Sequence, residues 1–293
     1  MIARLHCSDA PAAPPFPTRT RSRVVAFARL RTGRDAFVKL LAIDSATERL
    51  ALAAIDDGRA PDGALVRAAC RIEPLDLDGG AAASAQALPM LIALLQRAGW
   101  AFADLDAIAF GRGPGGFTGL RTACAVAQGL AFGQDVPVVP VDSLAIVAED
   151  AARRLELAAG AVVWVAMDAR MDEVYAGCYR DDGDAGWRAV VEPALTTPDA
   201  LHALWADAPP AVVAGSALDA FGERLRTGNA ERVPTEHGRA AALGWLAAVG
   251  LARGDAVPAD QALPIYLRDK VAQTTAEREA AKAARDAAAE ARS

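Results

Sequence analysis

Histidine and cysteine are scarce in this 293-residue chain, with three and four copies. His6, His202 and His237 have no second histidine within helical spacing, and Cys7, Cys70, Cys124 and Cys178 are scattered without a CxxC pair. A histidine metal centre, a zinc knuckle and a disulfide framework all lack their ligands. The expectation is a cytoplasmic chain with no metal and no tightly bound cofactor. No apolar run reaches the roughly 18 residues of a membrane span, so no membrane contact is expected. Clustered basic charge is missing too. Residues 1–37 carry seven arginines against Asp9 and Asp35, so of the net charge of −6 the remaining chain holds −11. An acidic body offers no electrostatic footprint for wrapping nucleic acid, and any RNA contact is expected through a partner.

What is present is a patterned α/β chain. Residues 1–37, rich in Pro and Arg and without periodicity, read as a disordered or misassigned N-terminal extension. Strand signals begin at VKLLAID (38–44) and continue in LALAAIDDG (50–58), and ALVRAAC (64–70) is expected to complete a meander. Helical pattern follows in 82–98, strand in 105–110, helix in 119–132, strand in 136–142 and helix in 143–158. That order implies a mixed sheet flanked by helices. A second half opens at AVVWVAMD (161–168), and strand, terminal Asp, turn, strand and DDG recur in VYAGCYRDDG (174–183). The chain therefore divides into 38–158 and 159–272, followed by an Ala-rich charged tail, 273–293, with nothing bulky to bury.

The repeat places Asp44 and Asp168 at equivalent strand ends. They are candidates for holding a hydrated magnesium beside nucleotide phosphates, or turn residues capping their own backbone. AGSAL (214–218) is a further nucleotide candidate. No nucleophile elbow surrounds His202 or His237, so no catalytic residue is assigned. The segment GRGPGGFTG (111–119) follows a strand and precedes a helix, but has no P-loop lysine and does not match GxGxxG. Beyond it Gly119, Ala123, Ala127 and Ala131 recur every four residues, a row that lets another helix approach closely. The helical segment before it carries two apolar stripes. One is Leu88, Leu91, Ile92 and Leu95; the other is Ala83, Ala87, Met90 and Leu94. The first is expected to cover the sheet. The second, with the row from Gly119 to Ala131, is expected to face a partner.

GRGPGGFTGLR (111–121), MDARMDEVYAG (167–177) and ALPIYLRDKVA (262–272) together resemble the TsaB (YeaZ) family of threonylcarbamoyladenosine biosynthesis proteins, in order from about Val38 to Ala272. The resemblance implies an actin-like ATPase (ASKHA) fold of two duplicated ribonuclease-H-like halves. It also implies a non-catalytic subunit required to form N6-threonylcarbamoyladenosine at position 37 of tRNAs reading codons that begin with A. Its implied partners are a TsaD-like catalytic subunit and a TsaE-like ATPase, with tRNA, ATP or ADP and Mg engaged through the complex. Pairing with the TsaD-like chain, or as a homodimer, is implied through the first two helices. The family often has Ser at Gly116 and His at Ala83, and the HxxxH metal pair of the catalytic relative is absent. The other reading is an ATP-dependent phosphoryl or carbamoyl transfer enzyme using Asp44 and Asp168.

Overall fold

The computed structural model describes residues 38–58, 65–234 and 238–268. The expectations for 1–37, His237 and 273–293 lie outside these residues.

The first half runs β1 (Lys39–Asp44), β2 (Arg49–Asp56), β3 (Arg71–Asp78), α1 (Ala83–Ala98), β4 (Ala107–Gly111), α2 (Phe117–Gln134), β5 (Val138–Val141) and α3 (Ser143–Arg154). Its sheet has the order β3-β2-β1-β4-β5, an antiparallel meander with β4 and β5 added parallel to β1. The second half runs β6 (Val162–Asp168), β7 (Val174–Asp181), β8 (Trp187–Thr196), α4 (Pro198–Asp207), β9 (Val212–Ala214), α5 (Ala217–Phe221), β10 (Glu231–Val233) and α6 (Arg239–Arg253). Its sheet order, β8-β7-β6-β9-β10, is the same topology repeated. The short sequence repeat thus marks a duplication of the whole unit.

One strand expectation fails. Residues 65–70 form a turn, with the N–H groups of Ala69 and Cys70 donating to the Val66 carbonyl, and β3 begins at Arg71. ALVRAAC is apolar but does not alternate, whereas RIEPLDLD sends Ile72 to one face of the sheet and Leu75 and Leu77 to the other. Pro74 is tolerated because β3 is an edge strand.

Three layers of helices enclose two sheets. α1 and α2 cover the outer face of the first sheet around Leu41, Ile43, Leu52 and Phe110. α4 and α5 cover the outer face of the second around Trp164, Val174 and Val213. Between the sheets lie α3 and α6, and each packs on the sheet of the other half. α6 lies on β1, β2, β3 and β5, with Gly244 against Ile55 and Ile72, while α3 lies on β6, β7 and β8. Glu149 of α3 accepts hydrogen bonds from Trp187 Nε1 of β8 at 2.8 Å and from Arg67 at 2.5 and 3.1 Å. The two halves share one core because neither can cover its own inner sheet face.

Candidate docking face and the Asp44 pole

Asp44 and Asp168 occupy equivalent strand ends and do different work. The Asp44 carboxylate is fully buried and receives Arg239 Nε at 2.6 Å, with the Arg239 side chain itself 1% exposed. Ser143 Oγ donates to its other oxygen at 3.1 Å. Arg239 opens α6, and neighbouring carboxylates satisfy the N–H groups there. Asp150 accepts from Gly238 at 2.8 Å and Asp76 from Ala240 at 3.1 Å. Acids at a helix N-terminus meet its unpaired N–H groups and positive dipole end. Burial pushes the Asp76 carboxyl up, against the hydrogen bond from Ala240 and the nearby arginines. Asp44 therefore anchors α6 and is closed off, rather than open to a cleft. Asp168 is less buried; it accepts from the Arg170 N–H at 2.8 Å and pairs with the Arg170 guanidinium at 3.1 Å. The Asp168 N–H donates to Ser216 Oγ at 3.1 Å, so the serine of AGSAL ties down the end of β6. Among the described residues no group of three His, Cys, Asp or Glu could hold a metal ion.

The glycine-rich segment wraps the turn that follows Asp44. Gly116 N–H donates to the Ala46 carbonyl at 2.7 Å, Gly113 N–H to Ser143 Oγ at 3.0 Å, and Ser45 Oγ to the Gly119 carbonyl at 2.8 Å. A Cβ on Gly119 would lie 1.7 Å from the Ser45 carbonyl oxygen, and one on Gly111 1.7 Å from Asp44 Oδ1. Glycine is required at both places by close approach. Two of the loop's N–H groups, those of Gly113 and Gly116, are thus used by the protein itself. At the far end of β5, Asp142 caps α3 through Leu144 and Ala145 and accepts the Tyr179 hydroxyl at 2.8 Å. Burial raises the Asp142 carboxyl, and burial beside Asp142 raises the Tyr179 phenol well above its usual value.

The expected partner-facing residues turn inward. Ala83, Ala87 and Leu94 of α1, and Ala123, Ala127 and Ala131 of α2, are buried in the core beneath the first sheet. Met90 is half-buried against that core, and half-buried Gly119 meets the β1–β2 turn. The row does permit close approach, but what approaches is the chain's own turn and sheet. The exposed side is the complementary one. Leu88 and Ile92, expected to cover the sheet, point to solvent from α1. On α2 the outward residues are Thr118, Ala125, Gly129, Phe132 and Gly133, with nothing within 4 Å of a Cβ placed on either glycine. Phe132 is 83% exposed. Among them Ala125, Gly129 and Gly133 recur every four residues, a second small-residue stripe legible in the sequence beside the first.

Sequence reasoning missed a strap. Residues 262–268 run alongside α2, the Ala262 carbonyl accepting from Cys124 Sγ at 3.2 Å and Gln128 Nε2 at 2.9 Å. Ile265 N–H donates to the Arg112 carbonyl at 2.7 Å, and Tyr266 stacks beside Phe117 with centroids 5.3 Å apart. Arg268 then reaches the β6–β7 turn, donating to the Ala169 carbonyl at 2.8 Å and pairing with Glu173. In that turn Arg170, Met171 and Asp172 all have positive φ, 62°, 57° and 61°. Each non-glycine residue there costs about 1–2 kcal/mol.

Two copies of one ribonuclease-H-like unit, sharing a core and flanked by helices, define a protein of the actin-like ATPase fold class. Residues 81–222 match the family model described as TsaD, tRNA N6-adenosine threonylcarbamoyltransferase. A Haemophilus influenzae relative, tRNA threonylcarbamoyladenosine biosynthesis protein TsaB, is 37% identical over 193 residues, 63% of this chain and 79% of the relative. The solved structure of YeaZ from Pseudomonas aeruginosa superposes with a TM-score of 0.65 at 37% identity, covering 78% of this chain and all of that one. A tRNA N6-adenosine threonylcarbamoyltransferase from Chromobacterium violaceum is 46% identical over 59 residues, 20% of this chain and 17% of that one. The chain belongs to the TsaB family. No helix among the described residues is long and apolar enough to cross a membrane.

Proposed function

We propose that this chain is a non-catalytic scaffold subunit for forming N6-threonylcarbamoyladenosine at position 37 of tRNAs reading codons that begin with A. A role in tRNA threonylcarbamoyladenosine formation accords with the names of its relatives. The observation that carries the scaffold reading is the outer face of α1 and α2. Leu88, Ile92 and Phe132 are large apolar side chains left exposed on these helices, with exposed Ala125 and Gly129 between them in the chain's second small-residue stripe. Exposed apolar anchors around small residues suit helix-against-helix packing. The occupant is a TsaD-type catalytic subunit, whose family model matches this chain from just before α1 onward. A related chain would offer equivalent helices, and a second copy of this chain can compete for the same face. The Arg239 guanidinium already fills the charge-balancing position at Asp44, which favours nucleotide and Mg being held by the partners. tRNA and a TsaE-type ATPase join through the complex, in the cytoplasm.

Reconstitution tests this. The chain alone should give no modified tRNA, and adding TsaD-type and TsaE-type partners with ATP and a pre-formed, activated threonylcarbamoyl donor should restore it. ATP-dependent turnover by the isolated chain would overturn the reading.

A further inference from the structure

The contact face does not end at α2. The strap lies against the flank of that helix formed by Phe117, Arg121, Cys124 and Gln128, and its own outward side chains extend the surface. Leu263 is 63% exposed, and Tyr266 is exposed beside Phe117, over whose ring the Arg121 guanidinium sits at 3.9 Å. Two residues further, Arg268 Nη1 lies 3.4 Å from Met171 Sδ, and Met171 is 58% exposed at the tip of the left-handed turn. The three segments that carry the family resemblance thus meet in one place, contributing Phe117 and Arg121, Met171, and Leu263 with Tyr266.

Two features distinguish this surface. The corresponding turn of the first half, residues 45–48, is one residue shorter and has no positive φ, whereas the longer turn here takes the left-handed form at three successive non-glycine residues, at a conformational cost. Yet the strained form is held from several sides: by Arg268 on the Ala169 carbonyl and Glu173, by Arg170 on Asp168 and on Glu48 at 2.9 Å, and by Arg224 on Asp172 at 3.1 Å. Strain held in place this way marks ligand clamps and contact sites, and its effect here is to fix an exposed thioether. The exposed types, Met, Tyr, Phe and Arg, are those enriched in the centres of protein interfaces.

We propose that Leu263, Tyr266 and Met171 form a second contact zone for the catalytic TsaD-type subunit, continuous with the α1–α2 face, so that this partner bridges both halves of the chain. The proposal rests on that subunit docking at α1–α2, and the occupant is the same because the strap flanks α2 without a gap. The test is the affinity of the full chain for the TsaD-type subunit by calorimetry, comparing Met171→Glu, Leu263→Glu and Ala125→Arg, with thermal melting as the fold control. Met171→Glu and Leu263→Glu should each weaken binding at least tenfold with the melting temperature unchanged, while Ala125→Arg abolishes it. If Ala125→Arg abolishes binding and both glutamate variants stay within twofold of wild type, the second zone is refuted and the α1–α2 reading stands. If all three bind like wild type, both fall.

Discussion

Ala125 and Ala127 are two residues apart on α2, and replacing each by arginine should give opposite outcomes. Ala127 is 0% exposed, in the same core as Ala87, Leu91, Leu94 and Phe110. An arginine there adds a long side chain to a packed site, costing about 1–3 kcal/mol in overpacking. It also buries a cation among apolar groups, a further penalty of several kcal/mol. Against a total stability of roughly 5–15 kcal/mol the sum removes most or all of the margin. Ala125 is exposed, where a substitution changes stability by within about 0.5 kcal/mol. Circular dichroism melts and urea titrations should find Ala125→Arg folded like wild type, and pull-down with a TsaD-type subunit should find it unable to pair. Ala127→Arg should be unfolded or severely destabilised. A folded Ala127→Arg chain with an unchanged melting temperature would refute the placement of the small-residue row in the core.

Glycine replacements on the same helix should split by face. Gly129→Ala should stabilise by about 0.5–1 kcal/mol because helix propensity acts alone in open space, whereas Gly119→Ala should destabilise because its Cβ meets the Ser45 carbonyl; urea midpoints of equal sign would contradict this. Arg239→Ala should cost about 3–5 kcal/mol in urea unfolding by leaving Asp44 buried and unpaired, and adding Asp44→Asn should recover part of it; a loss under 1 kcal/mol would show the pair to be solvated. Asp142 has a raised folded value, so its contribution to stability is fully present below the ordinary 3.8 and is lost as pH rises through the raised value. The melting-temperature advantage of wild type over Asp142→Asn should therefore shrink from about pH 4 to pH 7, and an advantage that grows would reverse the assignment.

Much of the fold was legible because it depends on local pattern. Short continuous apolar runs placed β1, β2, β4 and β6 within a residue or two, four-residue spacing placed α1 and α2, and the recurrence of strand, Asp, turn, strand and DDG announced the duplication. ALVRAAC misled because a short apolar run by itself does not distinguish a buried strand from a turn that packs at a core edge.

The sequence by itself determined which residues share a face: Ala123, Ala127 and Ala131 on one side of α2, Ala125, Gly129 and Phe132 on another. It could not determine which side is covered, because periodicity states what lies together and not what lies opposite. Only the tertiary structure decided that the first row meets the chain's own sheet and that the second is exposed. It alone joined Asp44 to Arg239 across 195 positions, laid the strap along α2 and exchanged α3 and α6 between the halves. A buried charge needs a partner and a bare sheet face needs a cover, but neither requirement carries an address in the chain. The address is set when the whole chain packs at once.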